Sequence, residues 1–340
     1  MLIVIWYLNP TFSQRSRVNL FTGGFVLKSR YLNGIVFFLL VLSVLMFASC
    51  GGEGEVPGSR DGEQSFTATL TDDLGRELVI EGKPERIVSL APSNTEMLFA
   101  LGLDEYIVGV SEYCDYPAAA LDKPKAGSFS QPNIEQIVAL DPHLIVAVPL
   151  QEEELARLME LDLPVLVLNP TTVEEIYDAL GLLGVATGVV EDARLLVEQM
   201  QTRIREVNDR VAQLTQGEKK RIYYEVYADP LMTVGRPSVI HELIEVAGGN
   251  NIFADVDTPY PKISAEAVVD RDPEVIIFPN YHGTEGFLAD EIFTRPGWDA
   301  ITAVKQERVV GIDPNIVSRS GPRVVEAIEE LAALIYPEIR

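Results

Sequence analysis

Apolar residues fall along this chain in two rhythms. Short β-rich runs at Arg86–Leu90, Tyr106–Val110, Leu144–Val148 and Val165–Leu168 are predicted to be buried strands. Between them, apolar positions recur at threes and fours over Thr95–Leu101, Ile134–Ala139, Glu152–Leu161 and Val173–Leu183, the spacing of helices with one buried face. Such alternation builds a parallel sheet covered by helices. A longer amphipathic stretch runs from Glu191 to Leu214, with Leu195, Leu196, Met200, Ile204, Val207, Val211 and Leu214 on one stripe and no Gly or Pro within it. At 1.5 Å per residue it predicts a helix of roughly 36 Å. The β/α rhythm resumes through Arg221–Tyr227, Val239–Val246, Val275–Phe278 and Arg308–Ile312, and closes on a helix over Arg323–Ile335.

The two halves repeat. Glu135 to Val146 (EQIVALDPHLIV) lies on Glu266 to Ile277 (EAVVDRDPEVII) at a constant offset of 131 residues, without a gap. Each copy has a Glu near a helix start, an Asp-Pro break and a buried strand. Ala100-Leu101-Gly102 and Ala247-Gly248-Gly249 close comparable helices upstream, and Tyr116-Pro117 roughly matches Tyr260-Pro261. The fold class expected is therefore α/β, with two Rossmann-like lobes, each with a central sheet, joined by one long backbone helix across a cleft. The domains are an N-terminal lobe over 66–185, the linking helix over 186–216 and a C-terminal lobe over 217–340.

The first 49 residues change the picture. They hold Arg15, Arg17, Lys28 and Arg30 and no acid, whereas the whole chain carries a net charge of -24. Lys28 and Arg30 precede an apolar run from Ile35 to Ala48, too short for a membrane span but suited to a signal-peptide core. The run ends in Phe47-Ala48-Ser49-Cys50, which resembles a bacterial lipobox. Residues 1–49 are thus read as a lipoprotein-type signal peptide, Cys50 as the lipidated residue, and Gly51–Ser65, rich in Gly, Glu and Ser, as a flexible tether. An acidic body excludes nucleic acid as a partner. The localisation expected is outside the cytoplasm, anchored to the membrane.

Catalytic templates are missing. No G-x-S-x-G, H-E-x-x-H, G-x-x-x-x-G-K-[ST] or post-strand G-x-G-x-x-G occurs, so no enzyme is expected. Besides Cys50 only Cys114 is present, and His143, His241 and His282 are scattered; no metal site and no cofactor is expected. His143 and His241 read as structural residues. His282 follows a strand and is a candidate for the cleft. Ligands of open α/β sheets sit at the carboxyl ends of the strands. Following each strand outward brings forward Ser93 and Asn94 in a helix start rich in capping residues, then Tyr113 and Asp115, Phe129, Tyr227, Tyr260, and Arg319. Loop aromatics suit a large, flat, partly apolar ligand.

Arg86–Glu96 (RIVSLAPSNTE), Gly109–Pro117 (GVSEYCDYP), Asn133–Leu144, Gly248–Asp255 (GGNNIFAD) and Ser320-Gly321-Pro322-Arg323 resemble the periplasmic-binding-protein family of cobalamin, ferric-siderophore and haem importers, and among these the cobalamin-binding members above all. The resemblance runs from about residue 70 to 338. It implies a class III substrate-binding protein, monomeric, that delivers a small ligand to an ABC permease dimer. It also implies that Glu135 and Glu266 dock on arginines of that permease. In cobalamin binders Tyr and Trp surround the corrin; the matching positions are Tyr113, Phe129 and Tyr260. Phe and Tyr where Trp is expected leave haem and ferric siderophores open, with a tyrosinate for haem iron or Arg236 or Arg319 for an anionic siderophore. Two rival classes are weighed. A metal-cluster enzyme on a nitrogenase-like bilobed fold needs several cysteines, and a surface adhesin or sensor domain predicts neither an aromatic cleft nor paired docking acids.

Overall fold

A computed structural model of the chain describes residues 66–339, except Phe129, Gln151, 216–218 and 281–288. The leader, the tether, Cys50, Phe129 and His282 lie outside the described residues. The first described element is a hairpin that the sequence reading did not separate from the lobe: β1 (Thr67–Thr71) and β2 (Glu77–Glu81), paired antiparallel with Thr67 opposite Glu81. Alternation in β1 buries Ala68 and Leu70 between exposed threonines. The Asp72 carboxylate accepts the N–H groups of Leu74 and Arg76 and pairs with the Arg76 guanidinium, which also donates to the Val165 carbonyl. That fastens the hairpin to the neighbouring sheet.

The N-terminal lobe follows as β3 (Ile87–Ser89), α1 (Pro92–Ala100), β4 (Ile107–Val110), α2 (Ile134–Ala139), β5 (Leu144–Ala147), α3 (Glu152–Met159), β6 (Val165–Val167) and α4 (Val173–Thr187). Its strands are all parallel, in the order β4-β3-β5-β6. β3, β5 and β6 are buried at every residue, which is why β5 and β6 read as unbroken apolar runs and β3 is broken only by the buried Ser89. Thr172 caps α4 by accepting the Glu175 N–H, and Glu175 reaches back to the N–H and hydroxyl of Thr171.

Gly188, left-handed at φ 73°, ends α4. The linking helix α5 (Val190–Thr215) therefore starts at Val190, four residues after the boundary expected at 186. Its inner stripe is Ala193, Met200, Ile204, Val207 and Val211; Leu195, expected on that stripe, is exposed. The C-terminal lobe comprises β7 (Lys220–Ala228), β8 (Leu231–Thr233), α6 (Val239–Val246), β9 (Gly249–Asn251), α7 (Ala265–Arg271), β10 (Val275–Pro279), α8 (Ala289–Phe293), α9 (Thr302–Lys305), β11 (Val309–Ile312), α10 (Pro314–Ser318) and α11 (Val324–Ile335). Its sheet runs β11-β10-β7-β8, with β9 also parallel to β7 and only β8 antiparallel. One large core cluster draws on both sheets, α5 and α11.

The repeat extends into backbone detail. α2 and α7 begin at Ile134 and Ala265, and β5 and β10 at Leu144 and Val275. The Asp of each Asp-Pro pair takes a left-handed conformation, φ 48° at Asp141 and 41° at Asp272. Asp is among the few residues that reach this region at small cost, and the proline after it prevents the helix from continuing. An arginine holds each break: Arg86 Nε donates to the carbonyls of Leu140 and Asp141, and Arg221 Nε to that of Asp272.

α1 and α6 also close alike, on Gly102 (φ 70°) and Gly248 (φ 86°). A β-carbon at Gly102 would meet open space, whereas one at Gly248 would overlap Val211 of the linking helix. We expect Gly102→Ala to cost about 1 kcal/mol of backbone strain and Gly248→Ala about 3 kcal/mol through strain and overpacking together. Urea denaturation of the two variants separates the two contributions.

Candidate ligand cleft and its ionic floor

The carboxyl ends of the two sheets meet through a charged junction. β3 feeds directly into α1, whose N-cap is Ala91 with no side-chain cap and whose first turn holds Pro92. The capping chemistry expected from Ser93 and Asn94 is therefore not used: proline presets the first turn, and the serine and asparagine fall inside the helix. One turn on, Glu96 is buried. It is met by two arginines of the other lobe, after α10. Arg319 Nη1 donates to Glu96 Oε1 at 2.9 Å, and Arg323 Nε and Nη2 donate to its two oxygens at 2.9 and 2.6 Å. Arg319 Nη1 also donates to Asp115 Oδ1 at 2.6 Å, in the loop after β4. The Glu96 side chain is 2% exposed and that of Arg319 9%, while Asp115 keeps 52%. Arg323 stacks on the Tyr116 ring, 3.9 Å from its centroid.

Burial pulls the Asp115 carboxyl upward, but the hydrogen bond and charge of Arg319, with Arg323 behind it, outweigh burial and hold it below the usual carboxylate range. Burial alone would depress both arginines; their carboxylate partners keep each guanidinium more basic than usual. A second tie between the lobes is uncharged on one side. Glu242 of α6 accepts the Val173 N–H at the start of α4 at 2.9 Å. Burial raises the Glu242 carboxyl above its ordinary range, with Glu175 and Glu174 adding to the rise.

The residues put forward from sequence divide accordingly. Tyr113, 41% exposed, stands after β4, and Tyr227, 38% exposed, stands near the carboxyl end of β7 in the other lobe. Ser93 is half-buried at the start of α1. Tyr260 is half-buried and packs on the main core. Asn94 is fully buried, and neither end of its amide has a partner. Arg319 is the centre of the ionic floor and not a free cation; its Nε is a further buried donor without a partner. The residues just before Arg319 form the short helix α10, capped by Asp313. Sequence reasoning missed Glu96 and Arg323 as functional residues. Buried acids are rare without a partner, and Glu96 sits among Asn94, Thr95, Met97 and Leu98, all buried, which was the available signal.

The two acids aligned by the repeat occupy the same place. Glu135 is exposed at the second residue of α2, behind an Asn133 cap, and Glu266 at the second residue of α7, behind a Ser264 cap. A backbone N–H and the Ser264 hydroxyl hold the Glu266 carboxyl below its usual range. His143 Nδ1 accepts the Glu85 N–H, and His241 Nδ1 lies 3.1 Å from the Asn251 amide with its basicity lowered by burial. Among the described residues no cluster of His, Cys, Asp and Glu could hold a metal, and no helix is long and apolar enough to cross a membrane.

Comparison with known proteins adds to this geometry. The family described as periplasmic binding protein matches residues 87–316. An uncharacterized ABC transporter substrate-binding lipoprotein, YvrC, of Bacillus subtilis (strain 168) is 32% identical over 307 residues, 88% of this chain and 96% of that protein. A vitamin B12-binding protein of Vibrio cholerae serotype O1 is 31% identical over 253 residues, 74% of this chain and 89% of that protein. Among solved structures, the periplasmic vitamin B12 binding protein BtuF of Vibrio cholerae superposes with a TM-score of 0.64 at 30% identity, over 74% of this chain and 96% of that one. The periplasmic heme-binding protein RhuT from Roseiflexus sp. RS-1, in apo form, gives 0.66 at 26% identity, over 76% and 100%.

Glu96→Gln keeps the shape of the side chain but leaves two arginines without their shared counter-charge. We expect it to lower stability by about 3–5 kcal/mol in urea denaturation, the range for breaking a buried ion pair.

Proposed function

The chain belongs to the periplasmic binding protein family and is a substrate-binding protein of an ABC importer, and from that premise we propose that it takes a corrinoid between its lobes. One observation carries the corrinoid reading. Tyr113 and Tyr227, one from each lobe, are aromatic side chains exposed at the carboxyl ends of β4 and β7, the end at which open α/β sheets take ligands and where rings suit a flat one. The 31% identity to a vitamin B12-binding protein supports the same reading. The ligand is cargo, so no resident cofactor is needed for the task.

The body works outside the cytoplasm, held to the membrane through Cys50. Glu135 and Glu266 present one carboxylate from each lobe, at matched helix starts, to a two-fold permease. The equal placement of the pair suits a partner that is itself symmetric.

Calorimetric titration of residues 66–340 with cyanocobalamin, haemin and a ferric hydroxamate siderophore tests the ligand. Cyanocobalamin is expected to bind at micromolar concentration or below. Tyr113→Ala and Tyr227→Ala are each expected to weaken it about tenfold. If only haemin or the siderophore binds, the corrinoid reading is wrong. Charge reversal at both Glu135 and Glu266 is expected to abolish association with the permease in detergent while leaving ligand affinity unchanged. Loss of ligand affinity in that variant would mean that the two acids do not serve docking.

A further inference from the structure

The ionic floor has a charge balance that bears on which ligand the cleft accepts. Two guanidiniums, Arg319 and Arg323, face two carboxylates, Glu96 and Asp115, within hydrogen-bond distance. The group sums to zero. An arginine at the base of a cleft is an anion receptor only while its charge is unmatched. Here Arg319 is already shared between two acids, and the nearer to solvent is Asp115. A ligand carboxylate approaching Arg319 must therefore displace Asp115 or share the guanidinium with it, and like charges so close repel strongly. The Asp115 carboxyl, held below its usual range, stays ionised and does not yield by taking a proton.

Two other described cations are already engaged. Arg236, the other cation put forward for an anionic ligand, lies 3.7 Å from Asp257. Lys125 donates its ammonium to the carbonyls of Cys114 and Ala120. Glu112, beside Tyr113, is exposed and adds a further negative charge to the same loop. The chain as a whole, at a net charge of -24, repels anions at longer range.

We propose that Asp115 and Glu96, by neutralising Arg319, set the charge class of the ligand: a flat ring whose polar side groups are uncharged, such as amides, in preference to one bearing carboxylates. This rests on the reading that the cleft takes a flat ring. It does not depend on whether that ring is a corrin. Asp115 acts through Arg319 and is a specificity-determining residue; Glu96, buried beneath, is a positioning residue that keeps Arg319 in place.

Matched ligand pairs that differ only in charge test the proposal. Cyanocobalamin is compared with the monocarboxylate made by hydrolysing one of its propionamides, and haemin dimethyl ester with haemin. The wild type is expected to bind the uncharged member of each pair it accepts about tenfold or more tighter. Asp115→Asn is expected to close or invert that gap by releasing Arg319. Glu112→Gln removes one negative charge from the same loop without touching Arg319, and is expected to leave the gap as it is. Circular dichroism melts verify that both variants fold, and the wild-type preference tests the proposal without either. Equal or tighter binding of the carboxylates by the wild type overturns it. So does a Glu112→Gln effect as large as that of Asp115→Asn, because bulk charge then explains the preference. If the wild type binds neither corrin but prefers the haemin ester, the corrinoid reading falls and this one stands. If none of the four binds, both fall.

Discussion

A carboxylate that is 2% exposed, on a helix of one lobe, receives both of its cross-lobe partners from a single short segment of the other. Burying Glu96 alone would cost several kcal/mol, so its ionised form requires Arg319 and Arg323. Those arginines are in place only if α10 and α11 lie against α1. The spacing of the lobes, the position of the Asp115 loop and the stacking of Tyr116 all follow from that one requirement. Glu242 on the Val173 N–H adds a second fixed point beside the linking helix. With two such ties and a core that runs continuously through α5, contacts within the chain itself hold the lobes in place.

The repeat explains how the halves came to face one another. Both Asp-Pro breaks use a left-handed aspartate, both are held by an arginine, Arg86 just before β3 and Arg221 in β7, and both deliver a buried strand in the same register to its neighbour. The lobes then diverge at the carboxyl ends of their first strands. β3 turns at once into α1, whereas β7 runs on through the antiparallel β8 before reaching α6. One shared architecture thus carries different connections at the carboxyl ends of its two sheets.

Strands buried on both faces, the amphipathic seam of α5 and the Asp-Pro repeat were legible in the sequence, because each is a pattern of neighbours along the chain. The start of α1 was misread: serine and asparagine suggested a cap, but proline had already fixed the first turn, and Asn94 was drawn inside. The ionic floor was not legible at all. Arg319 and Glu96 are 223 residues apart, and no local rhythm relates an acid inside one helix to an arginine after another. Tyr113 and Tyr227 could be proposed as cleft residues because loops at the ends of predicted strands have a predictable direction, even when their partners do not.

Cys114 illustrates a different constraint. Its thiol is buried beneath the β4 loop, within hydrogen-bond reach of Thr95 and Ser111, and burial keeps its pKa above the ordinary thiol value. The thiolate is the form that oxidants and foreign disulfides attack. A lone cysteine on the surface of an exported protein would crosslink neighbouring copies or accumulate irreversible oxidation. Sealed beneath the β4 loop and held in its thiol form, this one offers oxidants and foreign disulfides little to attack.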